Sequence, residues 1–163
     1  MSKEKMYFNW STGKDAALGL YHIQQKNQFQ VDKLLTTINK QVDRVSMHGL
    51  RRELMIAQIE ATGIKHQLVE LPAQPSMEEY AAIMEQAVQK LKKEGYEHTG
   101  FGDIFLEDLK AYREEQLSTL GIKCHFPLWK RNTKELTKEF FLLGFKAVVI
   151  CINNKSLDKS FCG

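Results

Sequence analysis

Met6-Tyr7-Phe8-Asn9-Trp10-Ser11-Thr12-Gly13-Lys14-Asp15-Ala16-Ala17-Leu18 is the stretch on which the reading of this chain turns. Met6 to Trp10 is aromatic-rich and β-prone. Ser11-Thr12-Gly13 suits a tight turn, and Lys14-Asp15 opens a helical pattern. A strand, a small-residue turn and a helix start make an anion site from backbone alone. The first N–H groups of a helix lack internal partners, and the helix dipole favours negative charge there. Gly13 allows close backbone approach, Ser11 and Thr12 add hydroxyls, and Lys14 adds a full positive charge. The spacing excludes a Walker A loop, which needs Gly, four residues, then Gly-Lys-Ser/Thr. Phe8 stands where the first Gly belongs, and Asp15 replaces the Mg²⁺-binding hydroxyl.

Outward from that stretch, β-prone and helical patterns alternate. Helical runs are expected over Lys14–Lys26, Leu50–Thr62, Ser76–Lys93, Leu106–Leu120 and Thr133–Leu143. Ser76-Met77-Glu78-Glu79 has capping-box form, and Gly63, Gly95, Gly121 and Gly144 stand at helix stops. Strands are expected over Met6–Trp10, Val31–Ile38, Ile64–Leu71, Tyr96–Phe101 and Ile122–Phe126. Phe145–Ile152, nearly continuous in apolar residues, reads as the strongest strand, buried on both faces. This alternation predicts right-handed βαβ units around a parallel sheet, with ligands beyond the carboxyl ends of the strands. Ser11–Asp15, Thr36–Ile38 and Gly102-Asp103 all lie there.

The 163 residues are expected to make one domain spanning 1–163. Apolar content of 43% and charged content of 26% suit a globular protein, and the net charge of +3 shows no basic nucleic-acid face. No stretch approaches the ~20 apolar residues of a membrane span, and no signal-peptide pattern opens the chain. Cys124, Cys151 and Cys162 lack CxxC spacing and read as reduced thiols, which points to the cytoplasm.

Three further stretches carry candidate chemistry. Ser46-Met47-His48-Gly49-Leu50-Arg51 opens a helix; it is either a plain start or a place where Met47 or His48 meets a purine and Arg51 a phosphate. Asp103, at a strand's carboxyl end, suits Mg²⁺ or a reacting group, but the residues alone slightly favour an N-cap, and Arg113 on the following helix is expected to be solvated. In Phe126-Pro127-Leu128-Trp129-Lys130-Arg131, two cations suit an oligophosphate, and Trp129 suits a base or a core anchor.

Together the four stretches resemble the PP-loop ATP pyrophosphatases, and within them the diphthine–ammonia ligases and their bacterial relatives. That family has a Ser-Gly-Gly-Lys-Asp-Ser loop, a Met-His-Gly helix start, a Gly-Asp-Ile strand end and a Pro-Leu-Trp segment. Here these are Ser11–Ala16, Met47–Gly49, Gly102–Ile104 and Pro127–Trp129, with Thr12 and Ala16 as departures. The resemblance implies a three-layer α/β sandwich around a five-stranded, mainly parallel sheet of the adenine nucleotide α-hydrolase type. It also implies ATP and Mg²⁺ as cofactors, with Ser11, Thr12, Gly13, Lys14 and Asp15 around the pyrophosphate and Asp15 at the metal. By the same resemblance Trp10, Thr37, Met47 and His48 receive adenosine, Lys14 and Asp103 are catalytic, Gly102 lies beside them, and Lys130 or Arg131 contacts phosphate. ATP is then cleaved to AMP and pyrophosphate as a carboxylate acceptor, on a protein or a small molecule, is adenylated and aminated by ammonia. Relatives continue into a Gly-Glu-Asn-Gly-Glu-like segment that helps form the acceptor site, which the sequence as read to Gly163 is expected to lack. Two rivals stand beside this reading: a non-catalytic nucleotide-binding module, similar in fold to universal stress proteins, and a tRNA-modifying PP-loop enzyme. Neither a membrane nor nucleic acid is an expected partner, and the aromatic C-terminal stretch is a candidate contact for a second copy.

Overall fold

Strand β1 (Glu4–Asn9) forms on the aromatic run and becomes the centre of the sheet. The computed structural model describes residues 3–163, in two compact units that divide after Lys130. In the larger unit β1 pairs in parallel with β2 (Phe29–Asn39) on one side and β5 (His98–Gly100) on the other. Strand β4 (Lys65–Leu71) adds in parallel beyond β2, and β6 (Lys123–His125) beyond β5. Among the described residues the five parallel strands therefore run β4-β2-β1-β5-β6, joined by the two-residue antiparallel β3 (Arg44–Val45) against Ile38 and Asn39.

Side chains alternate across a strand, and β1 uses both faces. Met6 and Phe8 join Leu20 and Ile23 of α1 (Lys14–Lys26) and Met55 and Ile59 of α2 (Arg52–Thr62). Tyr7, between them, joins Val88 and Leu91 of α3 (Met77–Lys93) on the opposite face, against which Leu117 of α4 (Glu107–Thr119) also packs. Helices thus cover both faces, giving the three layers of a Rossmann-like α/β fold. The chain builds outward from β1 through β2 to β4, then returns to the other side of β1 to add β5 and β6. Strand order reverses between β1 and β5, and a crevice opens there.

Local signals hold at most element ends. The Ser76–Glu79 capping box forms in both directions, and Gly63 takes the left-handed C-cap of α2 at φ 69°. Phe145–Ile152 corrects the sequence reading: it forms no strand, and Val148, Val149 and Ile150 are exposed. β-propensity measures fit to a half-buried pleated surface, and an apolar run needs a neighbouring ladder to become a strand. In its own unit (Arg131–Gly163) the segment follows α5 (Thr133–Leu142), where Asn132 caps the helix and Phe145 stacks on Phe140 at 5.0 Å.

Gly100, on β5, is set by packing. A Cβ there would stand 2.5 Å from Phe8 Cδ2 and 2.7 Å from Ile23 Cδ1, both held in the core. Gly100→Ala should therefore destabilise the fold by about 1–3 kcal/mol through overpacking, read as a lower urea midpoint.

At the β5–β6 edge, His98 Nδ1 and His125 Nε2 share a hydrogen bond of 2.9 Å, and His98 Nε2 lies 3.3 Å from Glu4. Burial, then the neighbouring His98, holds His125 below the ordinary imidazole value, against the pull of Glu4. The unfolded chain therefore takes up this proton more readily. Its contribution to stability is complete above the unfolded value near 6.5 and is lost as pH falls toward the depressed folded one. The urea midpoint should fall between about pH 7 and pH 5, and His125→Gln should fall less over that window.

Candidate functional site

The loop after β1 is tied down before it turns. Trp10 N–H donates to the Leu35 carbonyl at 2.8 Å, and Thr36 Oγ1 donates to the Trp10 carbonyl at 2.8 Å. Gly13 is the N-cap of α1, and its carbonyl accepts from Ala17 N–H at 3.1 Å. No side chain among the described residues caps this helix start, so its first N–H groups face the crevice as an anion site. A Cβ on Gly13 would stand 2.6 Å from Nε2 of the exposed His48, so a larger residue there would displace that imidazole. Thr12 adopts φ 69°, a left-handed conformation that costs a β-branched residue about 1–2 kcal/mol.

The end of β5 lies against this same turn. A Cβ on Gly102 would stand 2.7 Å from the carbonyl of Asp15 and 2.8 Å from Ala16 N. That approach sets Asp103 beside Asp15. Asp103 pairs with Arg113, whose guanidinium lies 4.4 Å from the centre of the Phe101 ring. Burial raises the Asp103 pKa first, Arg113 opposes the shift, and Asp15 adds to it. Lys14 Nζ meets Asp15 Oδ1 at 2.5 Å. Helix α4 starts at Glu107 with Leu106 as its N-cap, so Asp103 is no cap, and Arg113 is paired rather than solvated.

A cleft of about 520 Å³ runs over these residues. Trp10, Ser11, Gly13, Lys14 and Asp15 line it from the loop, and Gly102 and Asp103 from the end of β5. Thr37 lines it from β2, and Met47 and His48 line it from the turn after β3, where Ser46 N–H donates to the Thr37 carbonyl at 3.0 Å. Thr12 and Lys130 are not among the lining residues. Lys130 is exposed and pairs with Glu107 at 3.0 Å, while Arg131 pairs with Glu139 at 2.6 Å. Trp129 is half-buried and packs edge-on against Phe126 at 5.9 Å, with Lys110 Nζ 5.4 Å from its ring centre.

The family model for the diphthamide synthase N-terminal domain matches residues 4–124. The chain belongs to that family. A search of curated proteins gave no match. Among solved structures, a Methanocaldococcus jannaschii protein described as a predicted subunit of tRNA methyltransferase is 18% identical, with a TM-score of 0.53. That match covers 85% of this chain and 76% of the other, and at such identity it supports the fold alone.

In this diphthamide synthase N-terminal domain, membership in a PP-loop family supports nucleotide binding. No group of three or more metal-binding side chains occurs among the described residues. Mg²⁺ binds through one or two carboxylates together with substrate phosphates, and Asp15 and Asp103 are carboxylates that line this cleft. Trp10 Nε1 is buried without a hydrogen-bond partner among the described residues. Sequence reasoning missed Tyr80 and Met84 of α3 and gave Arg113 of α4 no role at the site, yet all three line the cleft. Only their helical spacing distinguished them, and that marks any buried helix face.

Thr12→Gly should relieve the left-handed strain and raise stability by about 1 kcal/mol, measured by urea denaturation; an unchanged or lower midpoint would contradict the strain argument.

Proposed function

We propose that this domain binds ATP with Mg²⁺ and cleaves it between the α and β phosphates, as an AMP-forming ligase of the diphthine–ammonia type. The observation that carries the reading is the contact of Gly102 with the first turn of α1. It places Asp103 and Asp15 beside Lys14 and an uncapped helix N-terminus. In this reading the loop amides, Ser11 and Lys14 hold the departing pyrophosphate, and Asp15 faces the metal. Trp10, Thr37, Met47 and His48 receive the adenosine.

The chemistry asks the protein mainly for positioning and charge neutralisation. An acceptor carboxylate oxygen bonds to the α-phosphorus, and the bridging oxygen leaves with pyrophosphate. Ammonia then attacks the acyl carbon, AMP departs with the carboxylate oxygen, and the nitrogen gives up a proton. The free thiols of Cys124, Cys151 and Cys162 suit a reducing cytoplasm, and no described helix is long and apolar enough to cross a membrane.

Lys14→Ala should lower acceptor-dependent AMP release by about 100-fold or more, measured by chromatography of nucleotide products. Undiminished AMP release from that variant refutes the assignment. Nucleotide binding by the wild-type domain without AMP formation, in the presence of acceptor, would instead identify a non-catalytic nucleotide-binding module.

A further inference from the structure

The cleft is larger than its phosphate end. Past Asp103 it continues between α3 and α4 over the floor formed by Tyr7 and Leu35. Tyr80, Ala81, Met84 and Val88 line it from α3, at the spacing of one helical face. Tyr112, Arg113, Gln116, Leu117 and Leu120 line it from α4 and the residue that ends it, again along one face. Helix α4 fully buries none of its residues, although α3 beside it buries Val88 and Leu91. Its inward face is therefore turned to a gap. Burial raises the pKa of the Tyr80 phenol against the nearby Arg113 charge, with Tyr112 adding to the rise, which sets these three side chains close together.

We infer that this lobe is the acceptor pocket, and that it takes a carboxylate borne on an apolar stem about the size of a phenyl ring. The inference rests on the ligase reading and adds the class of acceptor. Met84, Val88, Leu117 and Leu120 offer the stem apolar surface. At the junction with the phosphate end stands Arg113, the one Lys or Arg on the α3 and α4 walls of the cleft. Its guanidinium carries five donors, so pairing with Asp103 leaves others to orient a second carboxylate. A stem seated between the helices then points its carboxylate toward Lys14 and Asp15. Glu85, the one carboxylate on those two walls, is exposed and disfavours an anion far from Arg113.

The test is calorimetric titration of the nucleotide-free domain, and of the domain with Mg²⁺ and ATP, using 3-phenylpropionate, acetate and 2-phenylethylamine. The Met84 methyl resonance is followed in parallel. The pocket predicts that 3-phenylpropionate binds about tenfold or more tighter than either other probe and shifts the Met84 methyl. Leu117→Trp, which fills the lobe, should weaken that binding about tenfold or more while retaining the urea midpoint. If that variant does not fold, Ala81→Leu applies the same test. Arg113→Gln should weaken 3-phenylpropionate more than an uncharged phenyl alcohol. Equal binding of acetate, tighter binding of the amine, or wild-type affinity in the filled-lobe variant overturns the pocket. The ligase reading fails separately: 3-phenylpropionate bound in the lobe without MgATP binding would sink that reading alone.

Discussion

The close contact between Gly102 and the first turn of α1 is the constraint on which the site depends. Backbone meets backbone there, with no space for a Cβ. The contact is possible because β5 lies directly beside β1, with Phe8 paired to Gly100 two residues upstream. Phe8 in turn fills the space left by two glycines, Gly100 and Gly19. The core packing under the loop and the crevice above it are thus one arrangement. Anything that pushes β5 from β1 also separates Asp103 from the helix start.

Charge follows from the same geometry. Asp15 stands close to Asp103, and burial together with that neighbour raises the Asp103 pKa. Lys14 and Arg113 each answer one of them. Of the two pairs only Arg113–Asp103 is largely buried, so removing Arg113 would leave the Asp103 carboxylate short of compensation. The uncapped α1 adds a fixed positive end that no side chain has to supply.

Legibility in the sequence tracked how local each cause was. The Ser76 capping box, the left-handed Gly63 and the α1 start are decided within a few residues, and they read correctly. That Ser11, Gly13, Lys14, Asp15, Thr37, Gly102 and Asp103 would share one crevice was readable because parallel α/β topology opens a crevice at the strands' carboxyl ends. Phe145–Ile152 failed for the opposite reason: an apolar run states that a segment can pair, and says nothing about whether a partner ladder exists. Lys130, expected at phosphate, is exposed, pairs with Glu107 and does not line the cleft. Arg113 was overlooked because a helical arginine is ordinary until the fold sets Asp103 against it.

By itself, the sequence determined the alternation of strands and helices and the glycine-capped helix start in the turn after β1. Those follow from residue spacing, glycine placement and the unpaired amides of a helix start, all short-range effects. The motif order also carried the family: three of its four stretches, Ser11–Ala16, Met47–Gly49 and Gly102–Ile104, fall inside the matched residues 4–124. Only the tertiary structure decided which strands neighbour β1, that Asp103 faces Asp15 and pairs with Arg113, and that α3 and α4 leave a lobe open between them. Those are distances between residues far apart in the chain. They are set by how whole layers pack, which no local pattern encodes.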